Sequence, residues 1–369
     1  MIIMTEKWSK EKAWSWYNQR PWIRGYNGYP SNCVNRIAFW QEYRHEEVFE
    51  QIEQEFALAR ETGFNAVRAI IQFECWYYQH DSFMKHLEEY LTLAERYGIG
   101  VMLTLGNDCL VPKEQFKPVE FGEQHIDWGY HGGAKRNPHT GDYKQCGYCL
   151  LDELEFEPFY YKMVDEIAAK YAKDPRILFW DVWNEPGNSN RLEKSQKAME
   201  RFFEIIRSHD PIQPLTAAAW LFSGDKHLPT LPIEYRALEL SDIISFHYYC
   251  PFPHMVQVVK NLKEIYGRPI VNSEWLSRIS NCNIMDVFPL FYLEQIGSFH
   301  WGLIQGYSQT YEPHGGCFLN QDDPNQDLTK WMHDLYRFNG YPYDPKEIKL
   351  IKHFCRLADE DFKNKQEVN

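Results

Sequence analysis

A single α/β domain folded as a (β/α)8 TIM barrel, with a short N-terminal helix ahead of it and a long loop after its third strand, is what the sequence predicts. Three observations predict it. Short apolar runs alternate with longer amphipathic ones along nearly the whole chain, eight such units can be counted, and there are few Ser/Gly-rich linkers and no internal repeat. Alternation of that kind implies a parallel sheet, and eight units imply its closure. At 369 residues the chain suits one barrel with insertions, so residues 1–369 are read as one domain with the barrel core at about 20–358.

The elements follow in chain order. A Trp-rich helix at about 8–17 precedes strand one, PWIRGY. EEVFEQIEQEFALARETG closes on Gly63, a residue suited to the left-handed position past a helix end, and feeds strand two, FNAVRAII. MKHLEEYLTLAERYG precedes strand three, IGVMLTL. From Gly106 to about Leu150 runs a loop rich in Gly, His, Tyr and Lys, and a loop of that length in a compact domain signals function or disorder. DELEFEPFYYKMVDEIAAKYAKD leads to strand four, ILFWDVW, and RLEKSQKAMERFFEIIRSHD to strand five, QPLTAAAW. A less regular segment then precedes strand six, DIISFHYY. HMVQVVKNLKEIYG leads to strand seven, RPIVNS, IMDVFPLFYLEQIG to strand eight, SFHWGLI, and EIKLIKHFCRLA ends the fold. A doubly wound sheet would place a GxGxxG turn directly after strand one, and GYNGYPSN has neither that spacing nor an immediate helix.

Composition narrows the function. With 44% hydrophobic and 25% charged residues the chain reads as a soluble globular protein without membrane spans. Aromatics reach 16%, which serves either a Trp-rich core or the recognition of flat, amphipathic ligands such as sugar rings. A net charge of -13 argues against a nucleic-acid partner, because phosphate binding needs clustered Lys and Arg. The start, MIIMTEKWSKEKAWSW, has no basic segment followed by an apolar run, and nine Cys show no disulfide framework; both features predict a cytoplasmic protein. The CGYC of Cys146 and Cys149 has the form of a redox pair or half a zinc site, but neither a second CxxC nor an HxxxH accompanies it.

In a barrel of this type the carboxyl ends of the strands face the active site. Those ends carry Arg68, Asn107, Asp108, Asn184, Glu185, Trp220, His247, Tyr249, Glu274 and Trp301. Glu185 stands in ILFWDVWNEPGNSN directly after a run that reads as a buried strand, a place for a carboxylate that packing or chemistry has to explain. Glu274 ends strand seven and converges on the same mouth. Paired carboxylates among aromatics are what glycosidic bond cleavage requires: one proton donor, and one ionised group that attacks or stabilises an oxocarbenium-like transition state. Trp76, Trp128, Trp220 and Trp275 are candidates to line subsites, with core packing as the alternative. The loop segment GYHGGAKRNPHTGDYKQCGYC is expected to build one wall.

NEP at the fourth strand end, HYY at the sixth, SEW at the seventh and HWG at the eighth, in that order, resemble the clan A retaining glycoside hydrolases, above all their family 5-like members, from about residue 20 to 358. WGLIQGYSQT followed by WMHDLYRFNGYPYDPKEIKLI is similar to a bacterial branch labelled cellulase-like or xylanase-like, from whose WGLVxGKTQT pattern Tyr307 and Ser308 depart. The resemblance implies a retaining β-glycosidase that needs no metal and no cofactor and works by double displacement. It implies Glu185 as general acid/base, its pKa raised by aromatic surroundings and by its partner's charge, and Glu274 as nucleophile, kept ionised by Arg68 and Tyr249. Asn184 would hydrogen-bond the sugar 2-OH, His247 would support the shell, and Trp301 would stack beneath the reacting ring. The expected substrate is a β-linked oligosaccharide or glycoside. Two further readings use the same residues: a carbohydrate-binding barrel without turnover, and a transglycosylase in which a sugar takes the place of water. A metal-dependent barrel hydrolase would carry H-x-H on an early strand, and here His247 pairs with Tyr249.

Overall fold

The computed structural model describes residues 6–126, 131, 145–313 and 327–368. Its strands are β1 Arg24–Asn27, β2 Ala66–Ile70, β3 Gly100–Asn107, β4 Ile177–Asn184, β5 Leu215–Ala217, β6 Ile244–His247, β7 Ile270–Trp275 and β8 Gly297–Trp301. All pair in parallel, in the order β5-β4-β3-β2-β1-β8-β7-β6. The two ends of the sheet are joined by Ala219 N–H donating to Ser245 O at 3.2 Å and His247 N–H donating to Ala219 O at 2.8 Å. The result is a (β/α)8 barrel, as the alternation predicts.

The helices are α1 Lys10–Asn18, α2 Arg36–Trp40, α3 His45–Thr62, α4 Phe73–Tyr78, α5 His80–Arg96, α6 Glu157–Tyr171, α7 Gln196–Ser208, α8 Pro232–Leu240, α9 Phe252–Tyr266, α10 Ile284–Leu293 and α11 Pro345–Val368. Gly63, at φ 105°, ends α3 with its N–H donating to Ala59 O. Two elements differ from the sequence reading. The segment read as less regular holds α8, a short helix that buries Ile233, Ala237 and Leu238 and, among them, Glu234, which accepts the N–H groups of Trp220, Leu221, Thr230 and Leu231; the apolar stripe is short and a buried acid interrupts it. QPLTAAAW shortens to β5, because Pro214 has no N–H to give and the N–H of Trp220 goes to the Glu234 carboxylate rather than to a neighbouring strand.

Strand periodicity of two sets the barrel interior in layers. Ala66, Met102, Phe179, Ile243, Val271 and Phe299 pack in one apolar cluster. Helix α1 plugs that end: Trp8, Trp16 and Tyr17 join the cluster, and the Trp16 ring meets Phe179 edge-on at 6.1 Å. Burial of one such Phe or Met contributes about 1.5–3 kcal/mol, so this layer fastens strands to one another. Two residues further along the same strands stand Arg68, Thr104, Asp181, Ser245, Ser273 and Trp301, and the interior turns polar toward the carboxyl ends. A second, larger apolar core lies between sheet and helices. Among the described residues no helix is long and apolar enough to cross a membrane.

Candidate active site

At the carboxyl ends of the strands lies a pocket of about 270 Å³, with Arg68, Asn184, Glu274 and Trp301 in its lining. The polar layer beneath it is built around Arg68, whose side chain is fully buried. Its Nε donates to Asp181 Oδ2 at 2.8 Å, Nη1 to Asn27 Oδ1 at 2.8 Å and to Glu274 Oε1 at 2.6 Å, and Nη2 to Asn184 Oδ1 at 2.6 Å. Thr104 Oγ1 also donates to Asp181 Oδ2, at 2.8 Å. One guanidinium thus sets the positions of an acid from β7 and an amide from β4, through a donor fork that a single lysine does not offer. The second Glu274 oxygen accepts from Tyr249 OH at 2.9 Å.

Glu185 sits directly past β4 at φ 48°, in the left-handed region that a residue with a side chain enters only when its surroundings force it. The forcing groups are visible. Asp108, fully buried against Arg191, accepts the Gly187 N–H at 2.7 Å, and Trp220 Nε1 donates to Pro186 O at 3.1 Å. The Glu185 carboxyl receives three donors: His247 Nδ1 on Oε1 at 2.9 Å, and Cys109 Sγ at 2.8 Å and Asn188 Nδ2 at 2.5 Å on Oε2. Oxygens of Glu185 and Glu274 lie within 4.8 Å of each other, with His247 Nδ1 3.5 Å from Glu274 Oε2.

The two carboxyls share one electrostatic environment. Burial pushes Glu185 up, but the hydrogen bond and charge of His247, with the donors Cys109 and Asn188, outweigh it and hold the group below the usual carboxyl range. Burial pushes Glu274 above that range, with the Glu185 charge acting in the same sense and His247, Arg68 and Tyr249 against it. This reverses the sequence expectation that Glu185 is the raised partner. The physical reason is the donor count on Glu185, which the strand-end reading did not include.

The sequence-predicted residues Arg68, Asn184, Glu185, His247, Tyr249, Glu274 and Trp301 stand together at this mouth. Asn107 joins them, accepting from Asn184 Nδ2 at 2.8 Å. Asp108 and Trp220 brace the turn around Glu185 instead of lining the pocket. Trp76 and Trp275 are buried core residues, bonded through Nε1 to Glu166 and Ser298. Trp128 and most of the loop segment expected as a wall lie outside the described residues, while His131 from that segment lines the pocket. Tyr307 stacks on Phe338 away from the pocket, and Cys146 and Cys149 are free thiols. Among the described residues, the group of three or more side chains able to share a metal ion is Glu185, His247 and Glu274 themselves. Sequence reasoning missed Asn27, Cys109, Asp181 and Asn188. Asp181 had a signal, an acid inside the apolar run ILFWDVW; Cys109 and Asn188 stand in turns, where no period marks them.

Comparison with known proteins gives a match over residues 26–280 to the family model described as cellulase, glycosyl hydrolase family 5. No curated protein matches the chain. Among solved structures, an exo-β-1,4-mannosidase, Op5Man5, from Opitutaceae bacterium strain TAV5 superposes with a TM-score of 0.54 at 14% identity over 92% of this chain; the chain spans 60% of that protein's length. A glycoside hydrolase family 5 mannosidase from Rhizomucor miehei gives 0.52 at 15% identity, covering 93% of this chain and 94% of that one. GH5_18 from Streptomyces cattleya, in complex with GlcNAc, gives 0.57 at 12% identity, covering 92% and 81%. At these identities the structural likeness speaks for the fold alone.

Proposed function

The chain belongs to glycosyl hydrolase family 5, and from that premise we propose that it is a retaining β-glycosidase in which Glu185 is the general acid/base and Glu274 the nucleophile. One observation carries the reading: carboxyl oxygens of the two residues lie within 4.8 Å of each other. A retaining pair stands at roughly 5–5.5 Å, whereas an inverting pair needs about 6.5–9.5 Å to admit a water molecule between acid and sugar. The substrate is a β-linked oligosaccharide or glycoside. Its glycone stacks on Trp301, and Asn184, oriented by Arg68, meets the 2-OH.

In the first step a Glu274 oxygen attacks the anomeric carbon while the Glu185 proton passes to the glycosidic oxygen, and the bond from that oxygen to the anomeric carbon breaks. Glu185 enters this step protonated and Glu274 ionised, and the positive charge developing on the sugar beside Glu274 favours that ionised form. In the second step Glu185, now a carboxylate, takes a proton from water as the water oxygen attacks the anomeric carbon and the ester to Glu274 breaks. A sugar hydroxyl in place of water gives transglycosylation by the same route.

The test is trapping. A panel of activated 2-deoxy-2-fluoro β-glycosides with gluco, manno, xylo and galacto configurations is incubated with the enzyme, followed by peptide mass spectrometry. The manno member belongs in the first panel because solved proteins of similar fold include mannosidases. Stoichiometric labelling at Glu274 is expected from at least one sugar; a label on another side chain, or turnover of the parent glycoside without any label, contradicts the assignment.

A further inference from the structure

Of the three donors on Glu185, only one can reverse its role without moving a heavy atom. Asn188 cannot turn its amide, because its Oδ1 accepts the Ser189 N–H at 2.5 Å and thereby fixes Nδ2 toward Glu185. His247 could become an acceptor at Nδ1 only by giving up the proton there, and with it the charge that helps hold Glu185 ionised. The Cys109 thiol is different. Its S–H rotates freely about the Cβ–Sγ bond, and sulfur both donates and accepts. Sγ stands 2.8 Å from Glu185 Oε2 and also receives Asn188 Nδ2 at 3.3 Å and Asn184 Nδ2 at 3.4 Å. Its peptide is clamped on both sides by Asn107, whose Oδ1 accepts the Cys109 N–H and whose Nδ2 donates to the Cys109 carbonyl, both at 3.1 Å.

We propose that Cys109 is a positioning residue for the acid/base, donating S–H to Glu185 Oε2 when Glu185 is a carboxylate and turning that S–H aside when Glu185 carries its proton. Double displacement needs both forms of Glu185 in every cycle, and a carboxyl ringed by fixed donors would resist protonation. Cys109 relieves that resistance by turning its S–H aside, which leaves the Glu185 proton free to face the glycosidic oxygen. Burial, then the charge of Glu185, push the thiol well above its ordinary range, which keeps it an S–H across the working pH. The titratable and charged groups facing this pair are His247, Tyr249, Glu274, Arg68 and Arg36.

This inference rests on the acid/base reading of Glu185, and its test separates the two. For Cys109→Ala, Cys109→Ser and Glu185→Ala in the full chain, kcat/KM is measured with aryl glycosides of poor and of activated leaving groups. The expected result is a loss of about tenfold for Cys109→Ala on the poor leaving group, little loss on the activated one, and recovery in Cys109→Ser, whose hydroxyl also donates and accepts. Infrared difference spectra, wild type minus Cys109→Ser, should show an S–H stretch that moves as Glu185 titrates and stays still in Glu185→Gln. Equal losses on both leaving groups, no recovery with Ser, or a pH-independent S–H band overturns the role of Cys109. Glu185→Ala losing activity equally on both leaving groups overturns the acid/base reading itself, and this inference with it.

Discussion

Arg68 Nη1 stands 2.6 Å from Glu274 Oε1 in a polar layer where the arginine side chain is fully buried, so the charge of the proposed nucleophile and the integrity of the barrel interior depend on the same guanidinium. Truncation to Ala would leave Asp181 and Glu274 without their buried cation and is expected to cost roughly 3–5 kcal/mol of stability, obscuring any catalytic effect. Arg68→Lys keeps the charge but cannot reach Asp181, Asn27, Asn184 and Glu274 at once. We expect Arg68→Lys to lose roughly tenfold or more in kcat with a smaller loss of stability than Arg68→Ala; steady-state kinetics beside thermal unfolding of both variants checks it.

Tyr249 OH donates to Glu274 Oε2 at 2.9 Å and favours the ionised form of that carboxyl. Removing the hydroxyl raises the proton affinity of Glu274. Tyr249→Phe should therefore lower kcat/KM by roughly tenfold at acidic pH and move the acidic limb of its pH profile upward, with little change where Glu274 is ionised. An unmoved limb would mean that Tyr249 does not set the charge of Glu274.

Trp301 ends β8 and lines the pocket, with its ring edge-on to His333 at 6.4 Å. Trp301→Ala is expected to weaken binding of a glycone-mimicking inhibitor by about 1 kcal/mol or more through lost stacking. Calorimetric titration of wild type and variant reads this directly, and unchanged affinity would take Trp301 out of the sugar site.

Asp334 lies fully buried in the segment between β8 and α11, where burial pushes its pKa up to about 8 against the Thr310 hydrogen bond and the Arg278 charge. A carboxyl raised in the folded state binds its proton more tightly there than in the unfolded chain. Its contribution is complete below the unfolded pKa, near 3.8, and is lost as pH rises toward 8. Asp334→Asn cannot ionise, so its Tm should fall less than that of the wild type between pH 5 and pH 8, by about 2 °C or more. Parallel pH–Tm profiles would show that Asp334 ionises without penalty.

The strand-end residues were legible because a parallel barrel gives sequence position a meaning. Once ILFWDVW and RPIVNS are read as strands, Glu185 and Glu274 must lie at the same rim. The layer beneath was legible in principle, since Arg68, Thr104 and Asp181 follow Ala66, Met102 and Phe179 by two residues each. Cys109 and Asn188 were not. They reach Glu185 from turns whose course is set by Asn107 and by the left-handed backbone of Glu185, and neither feature leaves a periodic trace. Helix α8 escaped for a related reason, being short and carrying a buried acid among its apolar contacts.

The most direct test of the central claim, that Glu185 is the acid/base and Glu274 the nucleophile of a retaining pair, is the anomeric configuration of azide-rescue products. Glu185→Ala should still form the glycosyl-enzyme from an activated aryl β-glycoside, whose leaving group needs little protonation, and azide then enters from the face that water uses to give the β-glycosyl azide. Glu274→Ala cannot form that intermediate, so azide in the vacated space attacks the substrate from the opposite face and gives the α-glycosyl azide. Nuclear magnetic resonance distinguishes the two. β-azide from Glu185→Ala and α-azide from Glu274→Ala is the predicted result; exchanged anomers would reverse the roles, and no rescue in either folded variant would contradict covalent catalysis by this pair.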